Sequence, residues 1–242
     1  MPTDSFSTLG TGLRDLGMQG SGTSSDSVFP LQISDFRIPN SAMDLWYFEK
    51  EATQKGCKDI AGINEAGRGP LAGPVVSAAV ILPTSFNDPE ITDSKKLSPK
   101  KRERLFGKIY DRAVAVGIGI VDPVEIDRIN ILQASLLAMT IAVENLDPQP
   151  DHLLIDGTFP IPSELSQQPI PKGDALSISI AAASIVAKVS RDRLMQNYHF
   201  YYPQFDFLKH KGYPTKAHKE AIRKFGFSPI HRRSFRGVKE YV

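Results

Sequence analysis

Short apolar segments alternate with helical patterns through most of this 242-residue chain, and that alternation limits the folds open to it. Four segments have the length and apolar content of buried strands: residues 59–64, 75–82, 113–121 and 152–155. Three segments have the apolar spacing of helices: residues 100–110, 123–145 and 176–198. Strands with interleaved helices, followed by a helical end, predict an α/β fold with a C-terminal helical extension.

Charge is distributed unevenly along the chain. Residues 209–242 contain ten Lys or Arg and two acidic residues, whereas the remaining 208 residues contain 19 basic and 25 acidic residues. A basic segment beside an acidic body favours a polyanion-binding face next to a carboxylate-bearing one. A solvated basic helix end would give the same pattern, so charge alone leaves both interpretations open.

Composition excludes several classes of protein. The single cysteine, Cys57, excludes an internal disulfide framework and a Cys-rich zinc site, and we expect it to be a small buried residue. No uninterrupted apolar stretch approaches the roughly 20 residues of a membrane-spanning helix, and the N-terminus lacks the charged, apolar and small-residue order of a signal peptide. We therefore expect a cytoplasmic protein without a membrane partner. Residues 1–40, rich in Ser, Gly and Thr, are typical of a flexible extension.

Three acidic residues stand at the ends of predicted elements. Glu65 follows the first strand, Asp156 follows the short apolar strand, and Asp174 precedes the long helix. Hard divalent cations take carboxylate oxygens from several elements at once, so these residues are candidate metal ligands. Taken singly, Asp156 before a glycine is also typical of a turn, and Asp174 is also typical of a helix N-cap.

A glycine- and proline-rich loop connects the first two strands. Its Gly67-Arg68-Gly69 segment is not a dinucleotide fingerprint, because prolines lead into another strand instead of a helix. Glycines without Cβ let the backbone approach a sugar or phosphate closely, and Arg68 adds a planar positive group.

Seven blocks of this sequence resemble those of bacterial ribonuclease HII, the type 2 ribonucleases H, in the same order. The blocks are GINEAGRGPLAGPV at 62–75, DSKKLS at 93–98, LIDG at 154–157, KGD at 172–174, AAASIVAKV at 181–189, HKGYPT at 210–215 and SPIHR at 228–232. The resemblance covers residues 60–235. It implies a ribonuclease H-like fold, with a mixed central β-sheet flanked by helices. It places a catalytic domain at 41–190 and a basic C-terminal helical region at 191–242.

The resemblance also implies a site of four carboxylates that bind two Mn²⁺ or Mg²⁺ ions. The corresponding positions are Asn64, Glu65, Asp156 and Asp174, so an amide stands where the family has its first Asp. That Asp is expected to bridge both ions with its two oxygens, and a neutral amide cannot offer two anionic oxygens. We expect a rate lower by at least ~10²-fold, or roughly 2.7 kcal/mol of barrier. Three origins of Asn64 stay open: an engineered substitution, a natural loss of activity, or a recording error.

Substrate-binding residues follow from the same resemblance. The residues expected to read the ribose 2′-hydroxyl are Gly67, Arg68, Gly69 and Tyr213. The residues expected to contact backbone phosphates are Ser94, Lys95, Ser184 and Lys188. His218 and His231 are candidates for phosphate or structural contacts, and for His231 the structural role is favoured.

The implied activity is that of an endonuclease. It would hydrolyse the RNA strand of RNA/DNA hybrids and incise 5′ to ribonucleotides in duplex DNA by two-metal catalysis. We expect a monomer, since the sequence has no recognisable pairing element. The alternative is a catalytically disabled protein that binds ribonucleotide-containing duplex without cutting it. Asn64 is the residue on which the two interpretations differ.

Overall fold

A computed structural model describes residues 44–242, so the flexible extension expected at 1–40 lies outside the described residues. The centre is a five-stranded sheet in the order β3-β2-β1-β4-β5. Its strands are β1 (Ile60–Ala66), β2 (Val75–Ile81), β3 (Ala115–Val121), β4 (His152–Asp156) and β5 (Ser166–Ile170). The first three pair antiparallel, whereas β1 with β4 and β4 with β5 are parallel. The expected mixed sheet is confirmed.

Helices cover both faces of the sheet. The helices of the described residues are α1 (Tyr47–Gln54), α2 (Pro99–Arg112), α3 (Pro123–Glu144), α4 (Ile178–Tyr201), α5 (Phe207–His210) and α6 (Lys216–Phe225). Alternate residues of a strand point to opposite faces, so Ala78 and Val80 pack with α2 and α4, while Ala79 and Ile81 pack with α3. The four strands and three helices expected from the sequence are present, with ends shifted by up to three residues.

Helix α4 lies directly on the centre of the sheet. A Cβ added to Gly62 in β1 would lie 2.2 Å from the carbonyl carbon of Ser179, so glycine permits this contact. The Ser177 hydroxyl caps the helix, accepting a hydrogen bond from the Ile180 N–H. The helix continues through residue 190, where we expected the catalytic region to end. The expected boundary therefore divides one continuous helix.

Helix α3 packs on β2 and β3. The helix is long and apolar enough to cross a membrane, but core helices of soluble proteins can have the same length and composition. The expectation concerned an uninterrupted apolar stretch, and this helix includes the charged residues Glu125, Asp127 and Arg128. The helix is kinked at Asn130, whose φ is +70° and whose side chain caps the second segment by accepting from the Leu132 N–H at 3.0 Å.

The C-terminal region packs back onto the glycine-rich loop between β1 and β2. Leu71 from that loop lies in one buried cluster with Phe205, Phe207, Ile222 and Ile230. The loop is therefore covered by the basic C-terminal region. Cys57 is half-buried beside a separate cluster near α1, so the expectation of full burial is wrong.

Candidate active site

The candidate acidic residues meet at one edge of the sheet. Asn64 and Glu65 occupy the carboxyl end of β1, and Asp156 ends β4. These strands are parallel, with Ile63 opposite Ile155, so their ends lie side by side. The Gly173 N–H donates to Asp156 Oδ1 at 2.8 Å, which ties the turn carrying Asp174 to this edge. Residues distant in sequence are thus brought together.

The acidic residues influence one another's protonation. Burial raises the pKa of Glu65, and the charge of Asp156 raises it further, while Arg68 opposes both. Burial likewise raises the pKa of Asp156, and the neighbouring Asp174 adds to the effect. Like-charge repulsion in a desolvated site disfavours three ionised carboxylates unless cations accompany them.

Two basic side chains are the nearest cations. Lys95 Nζ lies 3.3 Å from Asp174 Oδ2, and Arg68 Nη1 lies 3.5 Å from Glu65 Oε1. Burial lowers the pKa of Lys95, but the attraction of Asp174 outweighs it and the net direction is upward. The lysine therefore stays charged beside the acidic residues.

The donor set suits a hard divalent cation. Glu65, Asp156 and Asp174 offer carboxylate oxygens, the ligands that Mg²⁺ and Mn²⁺ prefer. Between residues 44 and 242, no three His, Cys, Asp or Glu side chains lie close enough together to hold a metal ion by themselves. Asn64 is buried, and its Oδ1 accepts from the Glu65 N–H at 2.6 Å. Position 64, at the same sheet edge, thus holds a neutral group.

The Gly67–Gly69 segment lies beside Tyr213. A Cβ added to Gly69 would be 3.6 Å from Tyr213 Cε1, so ring and backbone form a shared surface. The Leu71 N–H donates to the Gly212 carbonyl at 2.8 Å, which joins the two loops. Arg68 and Tyr213 are 51% and 44% exposed, so both are accessible to a ligand.

Of the four residues expected to contact phosphate, one contacts the acidic residues and three have other partners. Lys95 reaches the acidic residues, as described above. Ser94 and Ser184 are buried, and their hydroxyls hydrogen-bond to each other at 2.7 Å. Lys188 is ion-paired with Asp192 at 2.7 Å. Phosphate contacts by these last three residues stay predictions.

His218 and His231 form a buried relay behind Tyr213. The Ser228 N–H donates to His231 Nδ1 at 2.9 Å, the two Nε2 atoms are 3.0 Å apart, and His218 Nδ1 donates to the Tyr213 carbonyl at 2.9 Å. One arrangement satisfies all three bonds: both rings neutral, with His231 Nε2 donating to His218 Nε2. Burial lowers the pKa of His218 to about 4 and that of His231 to about 3.

Two buried arginines that the sequence analysis did not single out hold the glycine-rich loop. Arg191 and Arg232 are 1% and 0% exposed and donate to backbone carbonyls of this loop. A signal existed for Arg191, which continues the buried stripe Ser184, Ala187 and Met195 of α4 as its one charged member. Arg232 lies in an irregular segment, where no periodicity could reveal its burial.

Comparison with known proteins covers nearly all of the described residues. Residues 61–238 match the family model of Ribonuclease HII. A Ribonuclease HII of Syntrophus aciditrophicus is 58% identical over 190 residues, which are 78% of this chain and 90% of that protein. The ribonuclease H2 of Pyrococcus horikoshii superposes with a TM-score of 0.65 at 29% identity, over 76% of this chain and 97% of that one.

A manganese-bound neighbour shares the fold. Bst-RNase HIII in complex with Mn²⁺ superposes with a TM-score of 0.56 at 19% identity, over 76% of this chain and 68% of that one. The likeness therefore confirms the ribonuclease H-like fold.

Proposed function

Because the chain belongs to the ribonuclease HII family, we propose that it cuts on the 5′ side of ribonucleotides embedded in duplex DNA, at a rate lowered by Asn64. The family is one of metal-dependent endoribonucleases that hydrolyse the RNA strand of RNA/DNA hybrids. One observation supports the proposed cut at an embedded ribonucleotide. Glu65, Asp156 and Asp174 lie at a sheet edge next to a glycine-lined surface that contains Arg68 and Tyr213.

The acidic residues supply the metal ligands in this proposal. Two Mn²⁺ or Mg²⁺ ions, when bound, would activate the attacking water and stabilise the leaving oxygen of the phosphodiester. Glu65 and Asp156 would hold the ion near the leaving group, and Asp174 the ion near the water. Lys95, 3.3 Å from Asp174, stands where it can contact the phosphate. The products would carry a 3′-hydroxyl and a 5′-phosphate.

Selection of the ribonucleotide rests on its 2′-hydroxyl. Backbone groups of Gly67, Arg68 and Gly69 and the hydroxyl of Tyr213 would read it, since that group alone separates RNA from DNA at a given sugar. The Tyr213 ring would stack on the following deoxyribose, which favours an RNA-to-DNA junction. Tyr213 is exposed and its carbonyl is held by His218, so its ring stands on a fixed support.

A second candidate function is supported by Asn64 itself. Its buried amide offers a neutral oxygen that already accepts from the Glu65 N–H. A chain that binds ribonucleotide-containing duplex but barely cuts it would follow if this position is indispensable for metal binding. In either case we propose a monomer that works in the cytoplasm.

The test compares the chain with its Asn64→Asp variant on a duplex DNA that contains one ribonucleotide, with Mn²⁺ present. We expect the variant to cut at least ~10²-fold faster, with the cut on the 5′ side of the ribonucleotide. Cutting by the variant alone would support the binding protein. Comparable rates would overturn the role given to Asn64, and failure of both proteins to bind the duplex would remove this substrate from the account.

A further inference from the structure

Arg191 and Arg232 are charged residues buried without an acidic partner. Neither forms an ion pair within residues 44–242. Burial lowers the pKa of Arg191 to about 10 and that of Arg232 to about 9, and Arg191 adds to the effect on Arg232. Burying two guanidinium groups without acidic partners costs free energy. We therefore expect their hydrogen bonds to have a specific structural role.

Both guanidinium groups are satisfied by carbonyl oxygens around the glycine-rich loop. Arg232 donates to the carbonyls of Gly73, Arg68 and Gly67 at 3.0, 2.9 and 2.5 Å. Arg191 donates to the carbonyls of Pro74, Ala72 and Lys211 at 2.9, 3.1 and 3.0 Å. The second set ties the loop to the segment that precedes Tyr213. Six bonds from two side chains thus fix both halves of the candidate sugar-binding surface.

The direction of the Arg232 bonds determines which way the loop's N–H groups face. In a planar trans peptide the C=O and the following N–H point in opposite directions. The carbonyls of Gly67 and Arg68 point inward to Arg232, so the N–H groups of Arg68 and Gly69 point outward. Both residues are exposed, and within residues 44–242 neither N–H donates to a protein acceptor. Two free donors therefore face the surface beside Tyr213.

Gly67 is fitted to the same arrangement. Its φ is +103°, and an added Cβ would lie 2.2 Å from Arg191 Nε and 2.8 Å from the Pro74 carbonyl oxygen. The space next to this residue is filled by the arginine that binds the loop. Loop conformation and arginine placement consequently depend on each other.

We propose that Arg191 and Arg232 are positioning residues for ribose recognition: they turn the Arg68 and Gly69 N–H groups toward the sugar 2′-hydroxyl. The inference rests on the proposed function. Lysine keeps the positive charge at either site but lacks the planar fork that reaches several carbonyls at once. Arg191→Lys and Arg232→Lys therefore separate geometry from charge.

The experiment measures binding of the full chain to two labelled DNA duplexes in EDTA, by fluorescence anisotropy. The duplexes are identical except that one carries a single ribonucleotide. We expect the parent chain to prefer that duplex by at least ~10-fold, and either lysine variant to prefer it by less than ~3-fold with unchanged affinity for the all-deoxy duplex. The matched control is Arg193→Lys, an exposed position on the same helix as Arg191, and it should keep the parent's preference.

Each outcome decides between the accounts. Variants that keep the parent's preference would overturn the inference, as would an equal loss of affinity for both duplexes, which indicates a charge effect alone. A parent chain without any preference would instead contradict the proposed function.

A lysine variant that fails to fold, by far-ultraviolet circular dichroism, is replaced by Arg232→Met, which removes the buried charge at similar volume. Amide hydrogen exchange of the parent chain gives a second readout. The Leu71 and Gly73 N–H groups, bonded to Gly212 and Ile230, should exchange as slowly as those of β1. Rapid exchange there would show that the arginines do not hold the loop.

Discussion

The His218–His231 pair predicts a loss of stability in mild acid. In the folded chain each ring has one donating and one accepting nitrogen, and an added proton would turn an accepting nitrogen toward a donor. The folded pKa values of about 4 and about 3 lie below the ordinary value of 6.5. The unfolded chain therefore binds more protons than the folded chain once the pH falls below 6.5. The stabilisation is complete above that pH and is lost as the pH falls toward the folded pKa values.

The magnitude follows from these values. At pH 5, protonation of an unfolded-state histidine that stays neutral in the folded state costs about 2 kcal/mol of unfolding free energy. Both rings are at most 1% exposed, so little solvent screening reduces this figure. We expect the pair to contribute about 2–4 kcal/mol of lost stability between pH 7.5 and 5, because two hydrogen-bonded rings do not titrate independently.

Urea unfolding at the two pH values measures the loss, and proton NMR of the ring Cε1–H signals measures the pKa values directly. His231→Gln removes one titrating ring and should reduce the pH dependence by roughly half. Signals of His218 and His231 that shift between pH 7 and 6 would refute this reasoning, because they would show that the rings accept protons while the chain is folded.

Two further predictions concern buried positions: Gly67 in the glycine-rich loop, and Glu49 in α1, whose Oε1 accepts from the Ser177 hydroxyl at the start of α4. Gly67→Ala should destabilise the chain by about 2 kcal/mol or more, because the new Cβ would collide with Arg191 at a φ of +103°; a thermal melt that matches the parent would contradict this. Burial disfavours the ionised carboxylate of Glu49 and so raises its pKa above the ordinary value of 4.5. Glu49→Gln keeps the oxygen that accepts from Ser177 and should raise stability at pH 7.5, with the gain vanishing at pH 4, as urea unfolding can check. A destabilised Glu49→Gln variant at pH 7.5 would show that the buried charge is favourable.

Much of the fold follows from local pattern. The apolar runs of β1 to β4 and the spacing of α2 to α4 are visible in the sequence because these elements bury whole faces. β5 was missed, since its segment Ser-Gln-Gln-Pro-Ile has no apolar alternation and owes its conformation to pairing with β4. The kink at Asn130 was also missed, because its positive φ depends on side-chain capping within an otherwise helical pattern.

The site was predicted in part for a similar reason. Acidic residues at the ends of parallel strands must meet, so Glu65 and Asp156 could be placed together from the sequence. The hydrogen bond between the hydroxyls of Ser94 and Ser184 could not be predicted, because it joins residues 90 positions apart, and their phosphate contacts stay predictions. Arg232 could not be found, because its partners are backbone carbonyls about 160 residues earlier in the chain. Such contacts leave no trace in side-chain pattern.

The central claim is that Glu65, Asp156 and Asp174 form a metal site that lacks a carboxylate at position 64. Calorimetric titration with Mn²⁺ tests this claim most directly. The parent chain should bind Mn²⁺ weakly, and Asn64→Asp should bind at least ~10-fold more tightly, since a carboxylate places two anionic oxygens beside Glu65 where the amide has one neutral oxygen. Adding Asp156→Asn to that variant should abolish the gain. Equal affinities of the parent and Asn64→Asp, or a gain that survives the loss of Asp156, would contradict the account.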